Sequence, residues 1–179
     1  MESKIKVLGH PAHQQLIVIP LGLLIVGTVF DVVYVVGGRP IFAAVSFWNI
    51  VIGVALALVA AVFGLVDFLA IPPGTRAKRI GLVHGGGNVL VTLLFLVSAL
   101  IRGGTVDHRP TTAAFALEIV ALALVGVTAW LGGELVCRLG VGVYPTANLD
   151  APSSLGRKRG LPLPVEHVPT WPGPHVTEP

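Results

Sequence analysis

The chain has 179 residues, 54% of them hydrophobic and only 12% charged, with a mean hydropathy of +0.84. A soluble domain carries about 25% charged residues, so the composition excludes an ordinary soluble globule, a disordered regulator and a nucleic-acid reader. The pI near 9.4 does not alter this, because the charges cluster between long apolar runs, the pattern of a membrane protein.

Four apolar runs follow one another: Gln14 to about Val36, about Ile41 to Ile71, Ile80 to Ile101, and Thr112 to Cys137. A helix needs about 20 apolar residues to cross a bilayer, and each run reaches that length. The runs are too long for strands and lack the alternation of a barrel. Within lipid a helix satisfies its own backbone groups. The first run is too long for a cleaved signal peptide and has no small-residue cleavage site behind it. Pro20 should kink that first helix by freeing the carbonyl near Leu16. Gly37-Gly38-Arg39-Pro40 reads as a turn, and Pro72-Pro73-Gly74 ends the second helix. Short connections make sequential helices antiparallel neighbours. The expected fold is therefore an all-α membrane protein, a four-transmembrane-helix up-down bundle with an extended proline-rich C-terminal tail. Its parts are an N-terminal segment (1–12), the bundle (13–143) and the tail (144–179). No internal repeat is clear from the residues.

Lys4, Lys6, Arg76, Lys78, Arg79, Arg138, Arg157, Lys158 and Arg159 fall on one side, and Arg39, Arg102 and Arg109 on the other. This asymmetry places both termini in the cytoplasm. Eight of the 14 prolines lie between Pro145 and Pro179. Such a segment cannot bury enough surface to offset its chain entropy and should be extended or disordered alone. Trp171 within it is a candidate partner contact, while Trp48 and Trp130 read as packing or interface anchors.

Four acidic residues lie within the runs: Asp31, Asp67, Glu118 and Glu134. Intramembrane carboxylates usually face a bundle interior. Their depths sort into two layers. The cytoplasmic layer holds His13, Asp67, His84 and Glu134, one titratable group from each helix. His10 joins it on the face of His13 if the helix starts early enough. The outer layer holds Asp31, Asn49, Ser98 and Glu118, with Arg102 at the rim. His13 and Asp31 are 18 residues apart, five turns and about 27 Å along one helix face. In the outer layer the bland reading leads: Asp31 and Glu118 pair with Asn49, Ser98 or Arg102 and hold the bundle together.

The cytoplasmic layer admits several chemistries. Histidine is a common axial ligand of b-type haem, and His84 with His13 or His10 would supply a bis-histidine pair. Gly85, Gly86 and Gly87 follow His84 and would let something flat approach the backbone; equally, they admit a neighbouring helix. Asp67 and Glu134 would orient or tune the ligands. A non-haem iron, zinc or manganese site suits the same residue types, although no local motif supports it. A proton or quinone site is a third reading. Cys137 stands alone, so no disulfide forms within the chain. Without a Cys-x-x-Cys-His, covalently attached haem is excluded. No catalytic triad, Walker loop or dinucleotide fingerprint is present.

Several segments resemble a bacterial family of membrane proteins, that of the domain of unknown function 2231. They are Gly9-His10-Pro11-Ala12-His13-Gln14-Gln15 with Pro20-Leu21-Gly22-Leu23, Gly64-Leu65-Val66-Asp67, Ile71-Pro72-Pro73-Gly74-Thr75-Arg76-Ala77-Lys78, His84-Gly85-Gly86-Gly87-Asn88, Trp130-Leu131-Gly132-Gly133-Glu134-Leu135 and Asn148-Leu149-Asp150-Ala151-Pro152-Ser153-Ser154-Leu155. The resemblance covers roughly residues 8 to 156. It implies a four-helix protein of the bacterial inner membrane and delivers no function. Some relatives carry a further histidine before the proline of the first helix, where this chain has Val18 and Ile19. Some are joined to Rieske-type iron–sulfur domains, which by analogy favours redox chemistry. Two functional readings follow. One is a redox-linked membrane component holding haem, or a metal, between His10 or His13 and His84. The other is an accessory subunit of a larger membrane complex, or a homo-oligomer, docked through the tail. A transporter ranks third, with only four helices and no charge at mid-membrane depth.

Overall fold

The structure is a computed structural model that describes residues 1–155. A small antiparallel hairpin, β1 (Lys6–Val7) and β2 (His10–Pro11), turns through Leu8 and Gly9, both at positive φ. Helices α1 (Ala12–Leu16) and α2 (Val18–Gly37) make the first span, α3 (Pro40–Ala70) the second and α4 (Arg76–Gly103) the third. A 3-10 turn (Val106–His108) precedes α5 (Thr112–Gly133), which runs on into a π turn at Glu134–Arg138. Among the described residues, four helical segments are long and apolar enough to cross a membrane: Ala12–Gly37, Pro40–Ala70, Arg76–Gly103 and Val106–Arg138.

The boundaries follow local chemistry. Gly38, at φ 70°, caps α2 in the left-handed region and donates its N–H to Tyr34 O. Pro40 opens α3, where its missing N–H costs nothing. Thr75 and Thr111 cap α4 and α5, their hydroxyls accepting from Lys78 N and Ala114 N. The helix is interrupted at Ile17, three residues before Pro20, where α1 gives way to α2 with Ile17 still at helical dihedrals. The chain stays hydrogen-bonded through it, Ile17 N to His13 O and Leu21 N to Ile17 O, both 3.1 Å.

Leu24, Phe47, Ile50, Val54, Val91, Phe95, Ala99, Ala121 and Val125 form the core. Outward-facing residues such as Val62, Leu65, Leu82 and Leu100 are as apolar as the core, as a helix surrounded by lipid requires. With lipid outside, no hydrophobic force drives the helices together, and small residues let them approach. Gly27 lies against α3: a Cβ there would stand 2.9 Å from Ile50 Cγ1 and 3.3 Å from Ser46 O. Gly87 lies against α5, with 2.7 Å to Thr128 Cγ2.

The fold does contain an internal repeat, which the residues conceal. The buried positions of α2 are Pro20, Leu24, Gly27, Thr28 and Asp31. Their counterparts 71 residues on, Val91, Phe95, Ser98, Ala99 and Arg102, are all buried in α4. Between α3 and α5 the offset is 68: Ser46, Ile50, Gly53 and Ala60 match Ala114, Glu118, Ala121 and Thr128. The helix hairpins α2–α3 and α4–α5 are thus two copies of one unit. α3 adjoins α4 and α2 adjoins α5, which closes the four helices into a bundle. The residues conceal the repeat because, apart from His13 and His84 and Gly64 and Gly132, the matched positions share mainly burial. Pro20 and Val91, or Asp31 and Arg102, are chemically unlike.

The ends of the described chain are knit together. The hairpin lies over one end of the bundle, with Ala12 N bonded to Ile5 O and Gly142 N to Met1 O. Tyr144 donates its hydroxyl to Gly9 O at 2.6 Å, and Asn148 and Ala151 close a further turn. At the start of the expected tail, Tyr144 and Ser154 thus touch the N-terminal hairpin, while residues 145–155 are exposed. Trp171 and the rest of the proline-rich stretch lie outside the described residues.

Replacing Gly27 by Val should wedge α2 from α3 and destabilise the bundle by about 1–3 kcal/mol, the usual cost of overpacking. Gly22→Val, at a position where a Cβ would meet nothing within 4 Å, should leave it unchanged. Thermal unfolding of both variants in detergent makes the comparison.

Candidate functional site

The two histidines expected to face each other, His13 and His84, sit at equivalent places in the two repeats, 71 residues apart. Their surroundings match as well. His13 Nδ1 lies 2.9 Å from Ala60 O, and His84 Nδ1 lies 2.9 Å from Thr128 O. A carbonyl oxygen only accepts, so Nδ1 carries a proton in each ring. In the neutral imidazole this leaves Nε2 with a free lone pair. Four residues beyond each carbonyl stands a glycine against which the ring lies flat. A Cβ on Gly64 would fall 2.8 Å from His13 Cε1, and one on Gly132 would fall 3.1 Å from His84 Cε1. Asn88, one turn beyond His84, places Nδ2 3.3 Å from His84 Nε2 and donates to His84 O.

The other expected members of this layer go elsewhere. His10 lies in β2, not on the first helix, which begins at Ala12. Its ring is exposed, and Nε2 is 3.3 Å from Ser154 Oγ. Asp67 is spent on the N-terminal segment: Oδ2 accepts from Ser3 Oγ and Oδ1 from Lys4 N, each at 2.7 Å. Glu134 pairs with Arg76. Both carboxylates thus fasten the end of the bundle, and neither hydrogen-bonds a histidine. Gly85 and Gly86 are exposed, with nothing within 4 Å of a Cβ at either, and Gly87 alone of the three packs closely on α5. No group of three or more His, Cys, Asp or Glu with metal-binding geometry occurs among the described residues.

At the other end of the bundle lies a second polar cluster, centred on Arg102. Its side chain is fully buried rather than at the rim. Nη1 and Nη2 grip Asp31 at 2.6 and 2.9 Å; Nη1 also reaches Glu118 Oε1 at 2.8 Å and Ser46 Oγ at 3.2 Å. Nη2 donates to Ala43 O at 3.0 Å and Nε to His108 O at 3.1 Å. Ser46 and Ser98 donate in turn to Asp31 and Glu118. Asn49 takes no part; it bonds back to Val45 O within its own helix, and Ser46, one residue past that carbonyl, fills the expected role. The ring of His108 stacks on Phe47, 4.0 Å between centroids and 8° between planes, and closes the cluster from outside.

Sequence reasoning missed Ala60, Gly64, Thr128 and Gly132, the backbone seats of the two rings. Their signal was the common offset of 68 residues that carries Ala60 and Gly64 onto Thr128 and Gly132. That offset becomes visible only once the hairpins are superposed in register.

A family model described as predicted membrane protein (DUF2231) matches residues 9–145, and the chain belongs to that family. Neither a curated protein nor a solved structure matches it.

Arg102→Met should destabilise the protein by about 3–5 kcal/mol, because it strands the buried Asp31 and Glu118 without their counter-ion. Arg102→Lys should recover only part of this, since an ammonium cannot offer the two-pronged fork that Asp31 accepts. Unfolding titrations in mixed detergent micelles would measure both.

Proposed function

We propose that this member of the family is a redox-linked integral membrane protein that holds b-type haem between His13 and His84. One observation carries the reading. Two imidazoles, in equivalent positions of two repeats, each have Nδ1 tied to a helix carbonyl, which makes Nε2 the ligand atom; at His84 that nitrogen has Asn88 Nδ2 3.3 Å away, a neighbour that haem iron would displace. That is how a protein orients histidines for an axial role: the hydrogen bond sets the tautomer, stops the ring turning and raises the basicity of the ligating nitrogen. The glycines at 64 and 132 let each ring seat against its helix. Bound haem would supply one-electron transfer. The chain's own share is to hold two neutral imidazoles in place and to surround them with apolar residues. A non-haem metal is the lesser alternative, because Asp67 and Glu134 are engaged elsewhere and two histidines alone make a poor site for iron or zinc.

The family, the four spans and the distribution of Lys and Arg support a place in the bacterial inner membrane with both termini cytoplasmic. The histidine pair then lies toward the cytoplasmic face. A second reading, an accessory or assembly subunit of a larger membrane complex, draws on the C-terminal segment. Tyr144 and Ser154 hold the start of that segment beside the N-terminal hairpin, so the residues beyond it leave from a defined place at the bundle end, where a partner could engage them.

The purified protein should show a Soret band and a dithionite-reduced b-type spectrum at near one haem per chain. His13→Ala and His84→Ala should each abolish the reduced spectrum, and His10→Ala should leave it intact. Gly64→Ala, which pushes on the His13 ring, should lower haem content without removing a ligand. A colourless, metal-free preparation from haem-replete cells would overturn the haem reading and leave the accessory role ahead.

A further inference from the structure

Among the described residues, two buried side-chain atoms have no hydrogen-bond partner, Glu118 Oε2 and His108 Nδ1. Both belong to the Arg102 cluster: Glu118 Oε1 and the backbone carbonyl of His108 each accept from the guanidinium. The cluster contains two carboxyl groups and one cation, all three with no exposed side-chain surface. Asp31 takes the full guanidinium fork and the Ser46 hydroxyl, so both its oxygens are well supplied with donors. Glu118 is not. Its Oε1 shares Nη1 with Asp31 and accepts from Ser98, while Oε2 is bare. Asp31 Oδ2 and Glu118 Oε1 accept from the same guanidinium nitrogen, Arg102 Nη1, at 2.6 and 2.8 Å, which holds the two carboxyl groups close together. Two carboxylate anions at such a distance repel, and a buried anion without donors is costly. A carboxylic acid beside a carboxylate attracts it, because the acid supplies the missing donor.

We propose that Glu118 and Asp31 form a proton-binding pair, with the proton seated on Glu118 Oε2 and exchanged with the aqueous phase past His108. The proton makes the triad neutral and gives the bare oxygen something to donate. Loading moves one proton from bulk water to a carboxylate oxygen and requires no electron transfer. Ser98 and Arg102 from α4 touch Glu118, Asp31 from α2 shares the guanidinium with it, Ser46 from α3 bonds Asp31 and Arg102, and His108, from the turn before α5, joins the cluster through its carbonyl on Arg102 Nε. Asp107 and Arg109, exposed and paired with each other, flank His108 in sequence. His108 is the one titratable ring between these exposed residues and the cluster. It is half-buried, with its Nδ1 unengaged. The proposal goes beyond the redox reading and stands whether or not haem is bound, since the cluster lies at the opposite end of the spans from His13 and His84.

The test is hydrogen/deuterium difference infrared spectroscopy of the full-length protein in lipid nanodiscs. The expected result is a carbonyl stretch of a protonated carboxyl at neutral pH, shifted on transfer to heavy water. Glu118→Gln should remove it. Asp31→Asn should remove it too, because Arg102 would then hold Glu118 as its only counter-ion. His108→Phe should keep the band and slow its deuteration. A wild-type spectrum with no exchangeable carboxyl band would overturn the proposal without recourse to any variant. So would a band that survives Glu118→Gln. Equal deuteration rates in wild type and His108→Phe would overturn the route. If Glu118→Gln does not fold, Ser98→Ala serves instead: loss of the donor to Oε1 should shift the band, and an unshifted band would count against Glu118.

Discussion

The buried guanidinium of Arg102 is the constraint around which the rest of the structure is arranged. A cation in the interior of a membrane protein has no water to solvate it, so the protein must complete its hydrogen bonding. α4 supplies the arginine, and every other span answers it: Asp31 from α2, Ser46 and the Ala43 carbonyl from α3, Glu118 from α5. The His108 carbonyl takes the remaining direction. Meeting these demands together leaves little freedom in the rotation of any helix. The consequence reaches the opposite end. His84 lies 18 residues before Arg102 and His13 lies 18 before Asp31, five turns in each case. The rotations that close the arginine cluster therefore also point both imidazoles inward.

The two repeats share a burial pattern but treat their two ends differently. At the histidine end the equivalent residues are the same, and each ring finds the same kind of seat, a carbonyl followed one turn later by glycine. At the arginine end the equivalent positions 31 and 102 face each other directly. Identical charged residues there would repel in a medium that screens poorly. Opposite charges at equivalent positions resolve this, and the second carboxyl enters where the first repeat has Ile50. The near-symmetry thus persists where chemistry permits it and is broken where electrostatics forbids it.

The bundle end near the histidines is closed by short-range polar contacts. Asp67 receives the N-terminal segment, Glu134 holds Arg76, and Lys78 reaches Phe68 O while lying over the Phe68 ring. Tyr144 then ties the following segment to the hairpin. The carboxylates that looked like companions of the histidines serve as fasteners instead, and the rings meet backbone carbonyls, glycines and Asn88.

The residues by themselves determined the class of the protein. Runs of about 20 apolar residues can be satisfied in lipid only as helices. Gly38, Pro40, Pro72 and the capping threonines carry the boundaries in their own backbone preferences, so the spans and turns were legible in chain order. The two polar layers were legible too, because depth in a span follows from counting residues. What counting cannot supply is rotation about each helix axis. An apolar surface facing lipid looks the same in sequence as one facing a neighbour, so hydropathy has no preferred side. Only tertiary packing decided that Arg102 turns inward to Asp31 and Glu118, that Ser46 rather than Asn49 meets them, and that Asp67 faces the N-terminal segment. The same holds for the two histidines, whose seats are backbone carbonyls and glycines on other helices. Any residue can offer a carbonyl, and the glycines matter only because a ring lies against them.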